Sequence, residues 1–104
     1  MPNQTTRKAA DAFMARVSYK RISKNTEVWT NSLEDGSTFL NLHGSPIASI
    51  DSNGVLWITS AGWETHTTKE RLNGIPGVSV YQHKFEWYLN GEKWEDSHYW
   101  TRIQ

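Results

Sequence analysis

Residues 78–94, VSVYQHKFEWYLNGEKW, carry the clearest structural signal in the chain. In the middle of this stretch aromatic or apolar side chains alternate with polar ones, which is the two-residue period of a β-strand. Asn90-Gly91 follows, and both residue types tolerate the positive φ angles of a type I′ hairpin turn. A two-residue loop at this point places Trp87 opposite Trp94. The stretch therefore predicts an antiparallel hairpin.

The same stretch does not suit one regular strand. Val78 and Val80 fall on the opposite parity from Phe85 and Trp87, so a single strand would present apolar side chains on both of its faces. We therefore expect a bulge, or a break into two strands, near Gln82.

Two further hairpins are expected upstream. Strand-forming residues on both sides of a Gly-containing acidic turn predict a hairpin over residues 27–42. Residues 47–59 predict another, in which Asn53-Gly54 forms the loop and Ile50 lies opposite Trp57. Consecutive hairpins of this kind build a sheet from neighbours in the chain.

An amphipathic helix is predicted over about residues 6–18, with Thr5 or Thr6 as its N-cap. Its apolar residues recur at the spacing of one helix face. They are Ala9, Ala10, Phe13, Met14 and Val17. Continuing the helix would bring lysines onto this apolar face, so we expect it to end near residue 18 or 19.

A second, short helix is expected near residues 67–73. Thr67 and Glu70 have the spacing of a capping box, in which each side chain accepts the backbone N–H of the other residue. Asn73-Gly74 supplies a C-terminal stop, and the proline that follows prevents the helix from resuming.

These elements predict an α+β fold, with an antiparallel meander sheet of about five to seven strands. The N-terminal helix covers one face of the sheet, and the short helix lies in one of the connections. The last strand is expected around Tyr99, Trp100 and Ile103. A chain of 104 residues is expected to form a single domain, residues 1–104.

Composition excludes several kinds of site. The chain has no cysteine, which excludes disulfides, thiolate metal sites and cysteine nucleophiles. No apolar stretch approaches the roughly 18 residues of a membrane-spanning helix, and none resembles a secretion signal. We therefore expect no membrane association.

The formal net charge is zero, but the charges are unevenly distributed. Residues 1–24 carry six basic side chains and one acidic side chain, whereas residues 25–104 carry five basic and ten acidic ones. A basic helical segment attached to an acidic sheet body can bind nucleic acid through phosphate contacts. The simpler interpretation is that this segment folds against its own acidic body.

Several short motifs follow one another in the middle of the chain. Residues 42–75, LHGSPIASIDSNGVLWITSAGWETHTTKERLNGI, contain LHG, GW, TTK and RLN, and FEWYLNG follows at residues 85–91. This succession resembles that of a group of small tailed-bacteriophage proteins of unknown function. The resemblance covers about half of the chain and leaves out residues 1–24. It implies a phage origin, and with it the cytoplasm of the infected bacterial host, but no activity.

The chain contains six tryptophans, more than the core of a small sheet protein is expected to absorb. Exposed indole rings anchor protein interfaces, and they also stack on nucleobases. The candidate partner-binding residues are Trp29, Trp63, Tyr99 and Trp100. Neighbouring strand residues point to opposite faces, so Tyr99 and Trp100 are both core residues only if both faces are covered. An exposed edge strand near Trp100 would also favour a homodimer.

Candidate anion or nucleic-acid contacts fall into two groups. The basic segment contributes Arg16, Lys20, Arg21 and Lys24. The start of the second helix contributes Thr67, Thr68, Lys69 and Arg71. Hydroxyl groups, free N–H groups and cations meet there at the positive end of a helix dipole. The alternative for this second group is an ordinary capped helix with solvated charges.

The four histidines show none of the usual metal-ligand spacings, so we predict no metal site and no cofactor. The sequence has neither a glycine-rich phosphate loop nor a nucleophile elbow. We therefore expect no enzymatic activity. The enzymatic alternative is a small hydrolase or nuclease that uses His43, His66 or His83.

The leading hypothesis is a non-enzymatic phage accessory protein that binds a protein partner. That partner is a host factor, a component of host defence or another phage protein. The alternative is a nucleic-acid-binding protein that uses the basic N-terminal helix and exposed aromatic side chains.

Overall fold

The computed structural model describes residues 3–103, which contain two helices and nine strands. The helices are α1 (Gln4–Met14) and α2 (His66–Asn73). The first five strands are β1 (Tyr19–Ser23), β2 (Thr26–Thr30), β3 (Thr38–Leu42), β4 (Ser45–Ile50) and β5 (Leu56–Ile58). The last four are β6 (Val80–His83), β7 (Glu86–Leu89), β8 (Glu92–Lys93) and β9 (Thr101–Arg102).

The strands form two antiparallel sheets. One is six-stranded with the order β1-β2-β3-β4-β5-β9, and the other is three-stranded with the order β6-β7-β8. Helix α1 packs against β1, β2 and β3, and α2 packs against β4 and β6. The predicted α+β class, with an N-terminal helix on one face of an antiparallel sheet and a second short helix, is confirmed.

Helix α1 begins earlier than predicted. Its N-cap is Asn3, and not Thr5 or Thr6, because the Asn3 side-chain oxygen accepts the Thr6 N–H at 2.8 Å. Ala9 and Phe13 on its apolar face are buried in the core, as the spacing predicted.

Helix α1 also ends earlier than predicted, at Met14, and this side chain is exposed although it was expected on the apolar face. The N–H groups of Arg16 and Val17 donate to the carbonyl oxygens of Phe13 and Ala12 at 3.1 and 3.3 Å, and Arg16 has a φ of 54°. This pattern is a Schellman motif, which stops a helix by placing one residue in the left-handed region. The chain then forms β1, so only the first part of the basic segment is helical.

Helix α2 has a different N-cap from the predicted one. The cap is Thr65 rather than Thr67, and its hydroxyl accepts a backbone N–H of the first turn at 3.3 Å. Glu70 does not complete a capping box, because its Oε1 accepts the Asn3 N–H at 3.1 Å and so connects α2 to the start of α1. The predicted stop at Gly74 is confirmed.

The C-terminal hairpin has the predicted turn and pairing. Asn90-Gly91 joins β7 to β8, and the ring centroids of Trp87 and Trp94 are 6.3 Å apart. The preceding extended stretch is broken into two strands, as one of the two expectations stated, and the break lies at Lys84-Phe85, two residues after Gln82. Both turn residues have positive φ, 51° and 68°, so they form a two-residue hairpin turn in place of a bulge.

The β4–β5 hairpin has a different register from the predicted one. Trp57 lies opposite Ser49 and not opposite Ile50. The Gly54 N–H donates to the Asp51 carbonyl at 2.9 Å, and Gly54 has a φ of 80°. The loop is therefore a turn with one added bulge residue, longer than the expected two-residue loop. A shift of one residue moves Trp57 to the other face of the sheet.

The core lies between the six-stranded sheet, the two helices and the three-stranded sheet. Residues that are paired across β2 to β5 form one fully buried row on the side of the sheet that faces α1. This row consists of Val28, Leu40, Ala48 and Ile58. Phe13, Leu72, Trp87 and Trp94 belong to the same cluster of buried residues. Within residues 3–103, neither helix is long and apolar enough to cross a membrane.

Candidate functional site

The outer side of the six-stranded sheet, opposite α1, carries a row of aromatic side chains. Directly paired residues of neighbouring strands project to the same side of a sheet. One such row crosses the whole sheet and consists of Tyr19, Trp29, Phe39, Ser49, Trp57 and Arg102. Trp100 lies beside this row, next to Trp57. We call Trp29, Phe39, Trp57 and Trp100 the aromatic face.

One small residue, Ser49, interrupts the large side chains of this row and shapes a groove. The rings of Trp29 and Phe39 stack with their centroids 5.1 Å apart and their planes 26° apart. Ser49 is the next residue in the row, and its short side chain leaves a hollow between Phe39 and Trp57. Together with Trp100, these residues line a groove of about 280 Å³. The aromatic face therefore offers a concave apolar surface.

The indole of Trp57 is held in place by the β4–β5 loop. Its Nε1 donates to Asp51 Oδ2 at 3.1 Å, and the N–H groups of Asn53 and Val55 donate to Asp51 Oδ1, both at 2.9 Å. The bond from Val55, followed by that from Trp57, lowers the pKa of the Asp51 carboxyl below its ordinary value. The groove thus has a fixed aromatic wall with a negative charge beside it.

The C-terminal segment that presents Trp100 is anchored by buried polar contacts. The Ser97 carbonyl accepts the Thr59 hydroxyl at 2.9 Å and the Ser60 N–H at 2.7 Å. The Ser97 hydroxyl donates to Glu64 Oε2 at 2.6 Å. Trp100 therefore lies on a segment that is fixed to the end of β5.

Charges of both signs surround the aromatic face. Arg102 pairs with Trp57 across the β5–β9 ladder, close to Asp51. At the other end of the row, the Tyr19 hydroxyl donates to Glu27 Oε2 at 3.0 Å, and this bond raises the pKa of the Tyr19 phenol. The border of the aromatic face is therefore polar and mixed in charge.

The structure separates the four predicted partner-binding residues. Trp29 and Trp100 belong to the aromatic face, where Trp29 is half-buried and Trp100 is 43% exposed. Trp63 is 44% exposed and lies against His43, with ring centroids 5.8 Å apart. Tyr99 is exposed and packs on the neighbouring His98 ring at 4.2 Å.

Phe39 and Trp57 were not selected from the sequence. The sequence of the two predicted hairpins showed that each of them alternates with apolar neighbours. It did not show on which face of the sheet each of them lies. The register of β4 and β5 was needed to place Trp57 beside Phe39.

Arg71 makes its contacts in the interior of the protein. Its side chain is 7% exposed and donates to Thr26 Oγ1 at 3.1 Å and to Thr6 Oγ1 at 2.9 Å. Burial lowers the pKa of the Arg71 guanidinium from its ordinary value. Thr68 is also fully buried, and Thr67 is half-buried.

Two further basic side chains of the predicted anion group also make internal contacts. Arg16 donates to Thr38 Oγ1 at 3.1 Å and to the Gly36 carbonyl at 2.6 Å, which connects the end of α1 to the β2–β3 hairpin. Lys69 donates to Gln82 at 3.1 Å, and its Nζ lies 5.5 Å from the centre of the Trp87 ring. The exposed members of the group are Lys20, Arg21 and Lys24, on β1 and the turn that follows it.

The histidines of the enzymatic alternative lie on separate elements. His43 is in the β3–β4 turn, His66 begins α2 and His83 ends β6. The His66 Nε2 is 3.5 Å from Glu70 Oε2. Among residues 3–103, no three His, Asp or Glu side chains are grouped in a way that could hold a metal ion.

Comparison with known families identifies the source of the chain. Residues 3–103 match the family described as Kyanoviridae Gp96 protein. The chain belongs to this family. The match includes almost all of the N-terminal segment, and the phage origin implied by the sequence resemblance is confirmed. Neither the curated proteins nor the solved structures contain a significant match to the chain.

Proposed function

We propose that this member of the Gp96 family is a non-enzymatic accessory protein that binds a protein partner through its aromatic face. The partner is a host factor, a component of host defence or another phage protein, met in the cytoplasm of the infected bacterium. The observation that carries this proposal is the row of aromatic side chains across the outer side of the six-stranded sheet.

The anatomy of the aromatic face supports a protein partner. Protein interfaces place aromatic residues at the centre and polar residues at the rim. A groove at the centre of an interface also suits an inserted apolar anchor, and such anchors carry most of the binding energy. The groove between Phe39, Trp57 and Trp100 has this form, and the bond from Trp57 to Asp51 fixes its wall before the partner arrives.

The mixed charge around the aromatic face favours protein over nucleic acid as its occupant. A nucleic acid that stacks on aromatic rings also needs a basic track for its phosphates. Here Asp51 and Glu27 lie beside the row that ends in Arg102. A protein surface can match charges of both signs, whereas a phosphate backbone cannot.

The groove of the aromatic face contains none of the three histidines of the enzymatic alternative. His43, His66 and His83 lie on three different elements, away from the groove of the aromatic face. The groove is therefore better suited to partner binding than to acid–base catalysis.

The experiment compares matched substitutions on and off the aromatic face. Phe39→Ser alters the aromatic face, and Phe85→Ser makes the same change at the tip of the β6–β7 hairpin. Trp100→Ser and Trp63→Ser form a second pair with nearly equal exposure, 43% and 44%. Each variant is first checked for folding by circular dichroism. Proteins captured from host lysate are then identified, and their affinities are measured with purified components.

The proposal predicts a partner whose affinity falls about 30-fold or more in Phe39→Ser and Trp100→Ser, the effect of losing an interface hot spot. Phe85→Ser and Trp63→Ser should retain wild-type affinity. A partner whose affinity falls equally in both variants of each pair would contradict the proposal. So would light scattering that gives the mass of a dimer for the wild type and of a monomer for Phe39→Ser, because a second copy of the chain would then cover the aromatic face.

A further inference from the structure

Two hairpin turns meet at one end of the six-stranded sheet, and the site between them contains none of the aromatic-face residues. The β1–β2 turn and the β3–β4 turn are joined by a hydrogen bond from the His43 N–H to the Asn25 carbonyl at 2.8 Å. They enclose a cavity of about 230 Å³, whose lining includes Arg21, Lys24 and His43. Residues that are far apart in the sequence therefore surround one small polar cavity.

The cavity has an excess of positive charge. Arg21 and Lys24 are basic and exposed, and Glu27 is the acidic residue in the lining. The Glu27 carboxylate accepts the Tyr19 hydroxyl, which partly satisfies it. The Arg21 guanidinium donates to the carbonyls of Ser23 and Lys24, both at 3.2 Å, which holds it in place. A guanidinium has five N–H donors, so others remain for a ligand anion.

An exposed aromatic ring lies next to this cavity. Trp63, in the connection between β5 and α2, contacts the His43 ring at 5.8 Å and leaves 44% of its surface exposed. The Trp63 backbone N–H donates to the Ser60 carbonyl oxygen at 2.8 Å, which holds the backbone of this connection in place. His43 has a φ of 53°, as the first residue of a two-residue turn requires, and this conformation holds its ring between the cavity and Trp63.

We propose that this end of the sheet binds a nucleotide unit. Arg21 and Lys24 hold the phosphate in the cavity, and the base stacks on Trp63. Cations that hold a phosphate next to an aromatic ring are the combination with which proteins bind single nucleotides and single strands. The source of the unit is either a free nucleotide or one nucleotide of a single-stranded nucleic acid. This site shares Glu27 with the border of the aromatic face, but it uses none of the four aromatic-face residues.

The test measures binding of three probes to the full chain. They are inorganic phosphate, adenosine 5′-monophosphate and a fluorescently labelled single-stranded oligodeoxyadenylate, each measured at low and moderate salt. For the oligonucleotide, two phosphate contacts predict a slope of about −1.4 in log affinity against log salt. This corresponds to roughly a sevenfold loss of affinity between about 50 and 200 mM salt.

Charge-matched variants show whether the binding is local. Arg21→Ala/Lys24→Ala should reduce the affinity about tenfold or more and flatten the salt dependence. Arg7→Ala/Lys8→Ala removes the same charge from the exposed side of α1, so its affinity should stay close to that of the wild type. Equal losses of affinity in the two double variants would show non-specific electrostatic attraction and would overturn the proposal.

Substitution of Trp63 tests the base-stacking part of the site. Trp63→Ala should weaken binding about 5- to 150-fold, and Trp63→Phe should restore most of the affinity, because it keeps an aromatic ring. The aromatic-face variant Trp100→Ser should bind the probes as the wild type does. Binding of the mononucleotide indicates a free nucleotide as the source, and binding of the oligonucleotide alone indicates a nucleic acid. Absence of binding to both, or binding unchanged in Trp63→Ala, overturns the proposal.

Discussion

Gly74→Ala is expected to destabilise the protein, although the backbone at this position suits alanine. Gly74 has a φ of −74° and caps α2, so no left-handed conformation requires a glycine. A Cβ atom at this position would instead overlap Thr6 Cγ2 and lie 3.2 Å from the Thr6 carbonyl oxygen. Thr6 is fully buried, and its hydroxyl accepts from Arg71 Nη1 at 2.9 Å, so it cannot rotate away without losing that bond. The substitution therefore forces α1 and α2 apart.

The size of the effect follows from two opposing terms. Overpacking in a buried contact costs about 1–3 kcal/mol. Replacing glycine by alanine where the backbone permits it stabilises by about 0.4–1 kcal/mol, because the unfolded chain has less freedom. The free energy of unfolding should therefore fall by about 1–2 kcal/mol. For a domain of this size, that lowers the midpoint of thermal unfolding by roughly 4–15 °C.

A double-mutant cycle tests the cause. Thr6→Ser removes Cγ2 and keeps the hydroxyl that accepts from Arg71. Alone it should cost about 1 kcal/mol, the value of one buried methyl group. Gly74→Ala should cost little more in the Thr6→Ser background, which gives a coupling energy of about 1–2 kcal/mol by urea unfolding. Additive effects of the two substitutions, within about 0.5 kcal/mol, would refute the proposed overlap.

Three further variants, which alter four residues, test other features of the structure. Arg71→Met should lower the free energy of unfolding by about 2–3 kcal/mol, because it leaves buried threonine hydroxyls without their charged donor; wild-type stability in urea unfolding would contradict this. Asp51→Asn should reduce the loss of stability in acid. The lowered pKa of the Asp51 carboxyl stabilises the folded state above the ordinary aspartate range, and this contribution disappears as the pH falls through the lowered value. Denaturant unfolding at several pH values measures the stability of the variant and of the wild type. An equal loss of stability in acid for both proteins would contradict the prediction. Replacing Lys84-Phe85 by Asn-Gly should increase the free energy of unfolding by about 1–2 kcal/mol and so raise the thermal midpoint, because both positions have positive φ, which Asn and Gly tolerate. A lower thermal midpoint would contradict this prediction.

The sequence predicted correctly those elements that depend on residues close together in the chain. The Asn90-Gly91 turn and the Trp87–Trp94 contact follow from residue types that tolerate positive φ and from strict pairing on both sides of the turn. The helix caps were misassigned because several candidates lay within one turn of each other. Only the complete hydrogen-bond pattern of the folded chain shows that Asn3 and Thr65, rather than Thr6 and Thr67, cap the two helices.

Strand β1 was missed because it carries little apolar periodicity. Lys20 and Arg21 lie in its centre, and these residues are typical of an exposed edge strand that must not pair with other chains. The strand forms because β2 provides the hydrogen-bond partners, with Tyr19 opposite Trp29. Pairing between elements, rather than local preference, determines its structure.

For the candidate sites too, the sequence showed the residue types, and packing determined their contacts. The sequence identified Trp29, Trp63 and Trp100 as exposed aromatic candidates, and two of them lie on one face. The sequence also identified Arg71 as a candidate anion contact, but the side chain is buried between the two helices and β2. Charge and residue type are visible in a sequence, whereas the partner of each group depends on packing.

The sequence by itself determined three of the hairpins, the two helices and the excess of tryptophan, because each of these depends on neighbours within a few residues. Tertiary structure decided which side chains share a surface. In the β4–β5 loop a single bulge residue, Gly54, places Trp57 opposite Ser49 instead of Ile50. Side chains alternate between the two faces of a strand, so this one-residue shift moves the indole from the core side to the aromatic face.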